Sequence, residues 1–222
     1  MSLRPHAALA YIGPFVAYVA LLGLEHAAGW PPHVFYPVQF LVVGLILVGI
    51  SRPFVPLRPS FPLASAGIGA LVFLVWIAPD VLFGYRHHWL FDNPLTGSAV
   101  SSIAPAARRS MAFALLRATS STALVPVLEE LFWRGWLMRW LIDVDFQKVP
   151  IGTYAPRAFW LVVVLFASEH GSYWEVGLAA GIAFNWWIVR TRNLADCILA
   201  HAVTNALLSA YVLIGNHWQY WL

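Results

Sequence analysis

The chain has 222 residues, of which 60% are hydrophobic and only 10% are charged. A soluble domain carries roughly a quarter charged residues, so this composition excludes an ordinary soluble domain and indicates a polytopic membrane protein. The net charge of +3 comes from basic residues that are scattered among the loops rather than grouped in a stripe, which excludes nucleic acid as a partner. A single cysteine, Cys197, excludes a disulfide within the chain and is expected to be inert packing.

Seven apolar runs are candidates to cross a bilayer, which takes roughly 20 helical residues. In chain order they cover residues 7–28, 33–50, 63–83, 118–141, 158–173, 175–190 and 196–215. The fifth and sixth runs are short and meet at residues 171–173, so we expect a helical hairpin there. We therefore predict an all-α transmembrane bundle of about seven spans, with six to eight allowed, in one integral membrane domain of residues 1–222.

The positions of Lys and Arg predict a cytoplasmic N-terminus, because most of the basic residues then fall on the cytoplasmic side. The exception is the segment 84–117, which contains four arginines. Within it, the apolar stretch 99–116 is expected to form an interfacial or partly inserted helix. If this helix crosses the membrane, the number of spans changes by one and the helices after it have the opposite orientation. A prokaryotic inner membrane is the expected location.

The segment "VPVLEELFWRGW" at residues 125–136 places three ionisable residues in an otherwise apolar run. Such residues are costly at bilayer depth and usually face a bundle interior or a wet cavity. Glu130 and Arg134 are four residues apart and share a helical face, whereas Glu129 points about 100° away and stays unpaired. An unpaired buried carboxylate suits a general base, but a structural ion pair with Glu129 reaching towards water is the alternative. Pro126 adds a bend typical of helices that line cavities.

Two further weak signals lie on other helices. His201 and Asn205 in "HAVTN" are four residues apart, so both can donate hydrogen bonds to one developing oxyanion, although bonding to each other or to backbone carbonyls is as common. His170 in "FASEHG" precedes a glycine where a helix is expected to end. Its neighbour Glu169 points to another face and is interpreted as structural, and Asp196 is interpreted as the start signal of the last helix.

Together these residues resemble the CPBP, or Abi, intramembrane proteases, the family of the CAAX prenyl endopeptidases. "EELFWR" is similar to the family motif EExxxR, residues 166–170 to FxxxH, and residues 201–205 to HxxxN, in the family's order. The resemblance covers residues 118–210, which we predict to be the catalytic core. The stretch "RNLADCILAHAVTNALL" also resembles, more weakly, the exosortase-associated CAAX protease-related subgroup.

The resemblance implies an intramembrane endopeptidase acting on a peptide or protein near the membrane. In that family pattern Glu129 and His170 activate a water, His201 and Asn205 stabilise the oxyanion, and the Glu130–Arg134 pair holds its helix in register. The resemblance favours a metal-free site without a cofactor. Zinc held by Glu129, His170 and His201 is the alternative, although the chain lacks the HExxH pattern of helical zinc sites.

Two other functions stay open at this point. A small proton-coupled transporter could use Glu129, His170 and His201 as a relay, but such proteins usually contain inverted repeats, which the sequence does not show. A non-catalytic membrane scaffold would be expected to lack a motif residue, and none is replaced. The depth of the site poses one difficulty: His170 is expected about 10 Å from Glu129 along the membrane normal unless the short hairpin lies deep in the bundle. The sequence does not define the substrate, its prenylation or the oligomeric state.

Overall fold

The computed structural model describes residues 5–101 and 103–221, and the described residues form eight helices without a β-strand. The helices are α1 (Pro5–Ala28), α2 (Pro32–Phe54), α3 (Pro62–Phe83), α4 (Pro105–Arg108), α5 (Met111–Trp140), α6 (Pro156–Ser168), α7 (Trp174–Thr191) and α8 (Leu194–Gly215). Isolated 3₁₀ turns, including Gly171–Tyr173 and Trp218–Tyr220, connect or follow them. The predicted all-α transmembrane bundle is confirmed.

Five described helices, α1, α2, α3, α5 and α8, are long and apolar enough to cross a membrane. The predicted fifth and sixth spans are present as α6 and α7, but neither meets that criterion. At 13 residues, α6 is about 20 Å long, too short for the hydrocarbon core. Helix α7 carries Glu175, Asn185 and Arg190, which lower its mean hydropathy. The described residues thus form five helices long enough to cross a membrane and the short helical hairpin that the sequence predicted.

The outer surface is apolar, as expected for a protein surrounded by acyl chains. Large aliphatic and aromatic side chains on the long helices are exposed, among them Leu45 (71%), Leu63 (89%) and Phe83 (77%). The polar side chains Gln39, Glu130, Arg134, Asn185 and Asp196 are instead at most 1% exposed. This distribution inverts that of a soluble protein and indicates that the functional groups lie inside the bundle.

The segment 84–117 differs from its prediction. The stretch 99–116 does not form one interfacial helix, because α4 is a single turn and residues from Met111 onward already belong to α5. Ser110 caps this start, and its side-chain oxygen accepts a hydrogen bond from the Phe113 amide at 3.3 Å. The predicted fourth span therefore begins at residue 111 rather than at 118.

Helix α5 contains two stretches of π-helix. These are Ser120–Leu124, just before Pro126, and Leu131–Leu137, directly after the two glutamates. Stretches of π-helix are uncommon and occur frequently at functional sites, since the wider turn redirects side chains. The acidic residues at 129 and 130 thus lie on a short α-helical stretch, Val125–Glu130, between the two π segments.

Helices α3 and α8 pack closely along the inner face of the bundle. Gly69 allows this contact, because a Cβ atom placed on it would lie 2.3 Å from the Ala200 carbonyl oxygen. Asp196 also joins the two helices: its carboxylate accepts hydrogen bonds from the Ser60 and Phe61 amides and the Ser65 hydroxyl. Asn193 caps α8, because its side-chain oxygen accepts a hydrogen bond from the Ala195 amide. Asp196 lies in the first turn of α8, but its carboxylate binds the start of α3.

Candidate active site

The centre of the site is a buried ion pair on α5. Glu130 and Arg134 are 0% and 1% exposed, and Arg134 Nη1 lies 2.9 Å from Glu130 Oε1. Arg134 Nε donates to Asn185 Oδ1 at 2.8 Å, and the Asn185 amide in turn donates to the Phe159 carbonyl at 2.9 Å. The spacing of these two residues predicted this pair. Its anchoring on α7 and α6 through Asn185 was not predicted.

Glu130 also binds His201 from α8. Its Oε1 atom lies 2.9 Å from His201 Nδ1, and the imidazole stacks on Phe184 with ring centroids 5.0 Å apart. A carboxylate that is paired with arginine only accepts hydrogen bonds, so His201 Nδ1 carries the proton. The other nitrogen, Nε2, lies 4.0 Å from Glu129 Oε2. His201 is therefore held between the two adjacent glutamates, and Glu130 has an orienting contact that the sequence did not reveal.

His170 lies in the turn after α6, where Gly171 reverses the chain with a positive φ of 51°. Its Nδ1 donates to the Phe166 carbonyl at 2.8 Å, which leaves Nε2 as an acceptor. Phe166 and Trp76 pack on the ring at centroid distances of 4.8 and 5.2 Å. Gly177 of α7 completes the enclosure, because a Cβ atom there would lie 3.2 Å from the imidazole. His170 thus has a fixed orientation.

Arg86 fixes the turn that follows His170. Although Arg86 is only 4% exposed, its Nη1 donates to the Ser172 carbonyl at 2.7 Å, its Nη2 contacts Glu175 at 2.8 Å, and its guanidinium lies 3.8 Å from the centre of the Tyr173 ring. Burial and the hydrogen bond that it donates to Glu175 raise the pKa of the Tyr85 phenol to about 12, so Tyr85 remains a donor. Tyr85 and Arg86 lie outside the predicted catalytic core, and their contacts with the residues after His170 were not predicted.

Asn205 occupies the next turn of α8 after His201. Its Nδ2 atom donates to the Ser121 carbonyl at 2.9 Å. Since an amide nitrogen has two N–H groups, one remains for a ligand. Asn205 lines a cavity of about 200 Å³ that we term the central cavity. Its walls include all four predicted catalytic residues and three aromatic side chains: Glu129, His170, His201, Asn205, Trp76, Tyr220 and Trp221.

A second cavity, of about 430 Å³, opens on the α1 side and meets the central cavity at Glu129 and His170. We term it the α1-side cavity. It is lined by Phe15, Tyr18, Val19, Leu22, Glu129, Glu169 and His170. Glu169, which the sequence suggested was structural, is exposed and faces this cavity. The pair Glu129 and His170 therefore lies where two cavities join.

The zinc alternative requires three side chains that converge on one point. Among the described residues, no group of three or more His, Cys, Asp or Glu side chains is placed to hold a metal ion. The geometry gives one reason: His201 Nε2 is 4.0 Å from Glu129 Oε2. Zinc bonds of about 2 Å would require these residues to move closer together. The proposed ligand set of Glu129, His170 and His201 is thus not preformed.

The fold and the cavity define a class of protein, namely a helical membrane protein in which buried acid, imidazole and amide groups from separate helices share one cavity. Residues 110–207 match the family model described as type II CAAX prenyl endopeptidase Rce1-like. This model belongs to the CPBP/CAAX protease family, so the match confirms the resemblance that the three motifs show. No curated protein and no solved structure matched the chain.

The family match and the five apolar helices support an integral membrane protein of the intramembrane endopeptidase kind in general. The matched segment contains all of the motif residues. It does not contain Trp76, Arg86, Tyr220 or Trp221, which complete the cavity or the His170 turn. Aromatic residues near span ends are typical of interfacial belts, so no sequence pattern indicated that Trp221, which is only 5% exposed, lies inside.

Proposed function

We propose that this protein is an intramembrane endopeptidase that hydrolyses a peptide bond of a membrane-associated or C-terminal-tail substrate, with residues 118–210 as the catalytic core. Water is the nucleophile, and Glu129 and His170 activate it. The observation that carries the proposal concerns Glu129 Oε2. This oxygen is buried, yet no group in the described part of the chain donates a hydrogen bond to it. A buried acceptor without a donor is costly, so it indicates a site for a bound polar molecule.

The proposed reaction uses the free atoms of the site. A water hydrogen-bonded to Glu129 and to His170 Nε2 transfers a proton to the Glu129 carboxylate as its oxygen attacks the scissile carbonyl carbon. The second N–H of Asn205 stabilises the negative charge that develops on the carbonyl oxygen. The tetrahedral intermediate then breaks its C–N bond, and Glu129 returns the proton to the leaving amine.

His201 contributes to the oxyanion only in one charge state. Its Nδ1 is bound to Glu130, so a neutral ring presents a lone pair at Nε2 and cannot donate from that atom. A hydrogen bond donated from Nε2 requires a proton on that nitrogen as well, and Nδ1 of the resulting imidazolium lies 2.9 Å from Glu130 Oε1. We therefore propose that the oxyanion receives a charged His201 donor, and that Glu130 supports this charge in addition to its pairing with Arg134.

The proposed mechanism needs no metal, because Glu129 acts as a base and Asn205 as an amide donor. Hydrolysis by protein treated with a strong chelator should therefore equal that of untreated protein. Loss on chelation and recovery with added zinc would favour the zinc alternative.

The test is cleavage of internally quenched peptides by the purified protein in lipid nanodiscs, with Glu129→Ala as the inactive reference. In one peptide set the fourth residue from the C-terminus is a farnesylated cysteine. In a matched set the same cysteine is unmodified. Cleavage of either set by the wild type alone, located by mass spectrometry, supports the proposal. Proton uptake into liposomes that depends on Glu129, without cleavage of any peptide, would instead support the transporter.

A further inference from the structure

The hydrogen-bond pattern of α5 lacks one amide donor at Pro126. In the π segment that ends at Leu124, the Val125 amide bonds to the Ser120 carbonyl, five residues earlier. The next bond in this register would join residue 126 to the Ser121 carbonyl. Residue 126 is proline, which has no N–H, so that bond cannot form. The Ser121 carbonyl is thus available to another donor.

Asn205 supplies this donor from α8. Its side-chain nitrogen lies 2.9 Å from the Ser121 oxygen. Since a carbonyl oxygen only accepts, the contact determines which end of the Asn205 amide faces α5. Ser121, Asn205 and Glu129 all line the central cavity. The first N–H of Asn205 is consequently held by α5, and the orientation of the second is fixed relative to Glu129 on the same helix.

We propose that Pro126 is a positioning residue of the active site. By withholding its amide, Pro126 keeps the Ser121 carbonyl free to orient Asn205, the donor to the oxyanion. This inference rests on the proposed endopeptidase function. A proline in the middle of a buried helix is normally unfavourable, and this role gives a reason for its presence next to the two glutamates.

Pro126→Ala restores an N–H that competes with Asn205 for the Ser121 carbonyl. Removal of an oxyanion donor lowers kcat by about 100- to 1,000-fold, which is the loss expected for Asn205→Leu. Pro126→Ala should lower kcat by about 10-fold through misorientation of that donor, while KM changes less than twofold and the melting temperature stays equal or rises. Pro37→Ala is the matched control, because Pro37 is also inside a helix but lies outside both cavities.

A double-mutant cycle separates positioning from general packing, since residues that act through each other give non-additive effects. Asn205→Leu should lose about 10-fold less kcat in the Pro126→Ala background than in the wild type. Asn205→Leu should also lower the melting temperature less in the Pro126→Ala background than in the wild type. In that background the new amide of residue 126 can donate a hydrogen bond to the Ser121 carbonyl, which otherwise has no donor once Asn205 is replaced. This second readout needs no catalysis, so it tests the positioning role even if no peptide is cleaved.

Additive effects of the two substitutions on both kcat and melting temperature would overturn the proposal, as would a wild-type kcat for Pro126→Ala. Pro126→Val, with a volume closer to that of proline, is made in parallel. Loss of folded protein for both variants, judged by size-exclusion chromatography, also counts against the proposal, because it requires that α5 still forms without this proline.

Discussion

Arg134 has the most buried guanidinium of the catalytic helix, and its contacts come from three helices of the bundle. Glu130 is on its own helix, Asn185 is on α7, and the ring of Phe166 on α6 lies 4.5 Å from the guanidinium carbon. The pair therefore does more than hold α5 in register. It joins α5 to the hairpin that carries His170 and, through Glu130, to His201 on α8.

Arg134→Met should lower the free energy of unfolding by about 3–5 kcal/mol, because Glu130 is then left charged and buried without a cation. Arg190→Met is the matched control, since Arg190 is exposed at the end of α7, and it should change stability by less than about 0.5 kcal/mol. Unfolding in detergent followed by circular dichroism measures both values. Equal stability of the two variants would show that the buried pair is not energetically important.

At the scale of single residues, the sequence was informative about chemistry and less so about contacts. The spacing of Glu130 and Arg134 predicted their pairing because both lie on one helix, where i and i+4 positions meet. The contact of Glu130 with His201 spans 71 positions in the chain, and no local periodicity reports such a distance. The free oxygen of Glu129 was predicted as an unpaired carboxylate, and its burial beside a cavity is consistent with that interpretation.

At the scale of elements, close packing of α3 on α8 determines where His201 lies. Gly69 faces the Ala200 carbonyl, one residue before His201, and the Thr204 hydroxyl donates to the Gly69 carbonyl at 2.9 Å. The helices were predicted from their apolar runs. Their closest approach was not, because a glycine in an apolar run has several explanations, including plain tolerance of the residue within a transmembrane helix.

Gly69→Ala should destabilise the protein by about 1–3 kcal/mol and reduce peptide hydrolysis, since the added Cβ forces α3 and α8 apart beside His201. Gly67→Ala is an almost ideal control, because a Cβ atom at Gly67 meets nothing within 4 Å. That variant should keep both activity and stability. The measurements are the melting temperature and the initial rate of each alanine variant. Equal values for Gly69→Ala and Gly67→Ala would show that this contact is not important.

The π segments of α5 show why the direction of side chains on this helix could not be predicted from the sequence. The sequence prediction assumed 3.6 residues per turn, and that assumption placed Glu129 about 100° away from the face that Glu130 and Arg134 share. The segments Ser120–Leu124 and Leu131–Leu137 depart from this period on both sides of the glutamates. The sequence contained one clue, Pro126, which indicated a local opening of the hydrogen-bond ladder without showing its form.

The turn that carries His170 depends on Arg86, so Arg86→Met should reduce kcat by about 10- to 100-fold while KM stays within about threefold. Without the guanidinium, the Ser172 carbonyl loses its donor and the turn Gly171–Tyr173 is free to move. Arg109→Met, at an exposed arginine of the same segment, should have no effect on the rate. Wild-type kinetics for Arg86→Met would mean that the other contacts of the turn suffice.

At the scale of the whole molecule, the short hairpin resolves the difficulty of depth that the sequence raised. Helix α6 has only 13 residues, and His170, which follows its end, lines the same cavity as Glu129. The resemblance of the three motifs to the family predicted that Glu129 and His170 would lie in one site. The aromatic walls from Trp76 and Tyr220 come from segments outside residues 110–207, for which the sequence offered only hydrophobicity. The cytoplasmic N-terminus and inner-membrane location remain predictions.

The role of Glu129 as the base is tested by comparing Glu129→Gln with Glu169→Gln in peptide hydrolysis under saturating substrate. Both substitutions preserve shape and remove one carboxylate from the α1-side cavity, but only Glu129 is proposed to take the proton from water. We predict that Glu129→Gln loses at least about 1,000-fold in kcat, whereas Glu169→Gln keeps a rate within about threefold of the wild type. A Glu129→Gln variant with wild-type turnover would contradict the account.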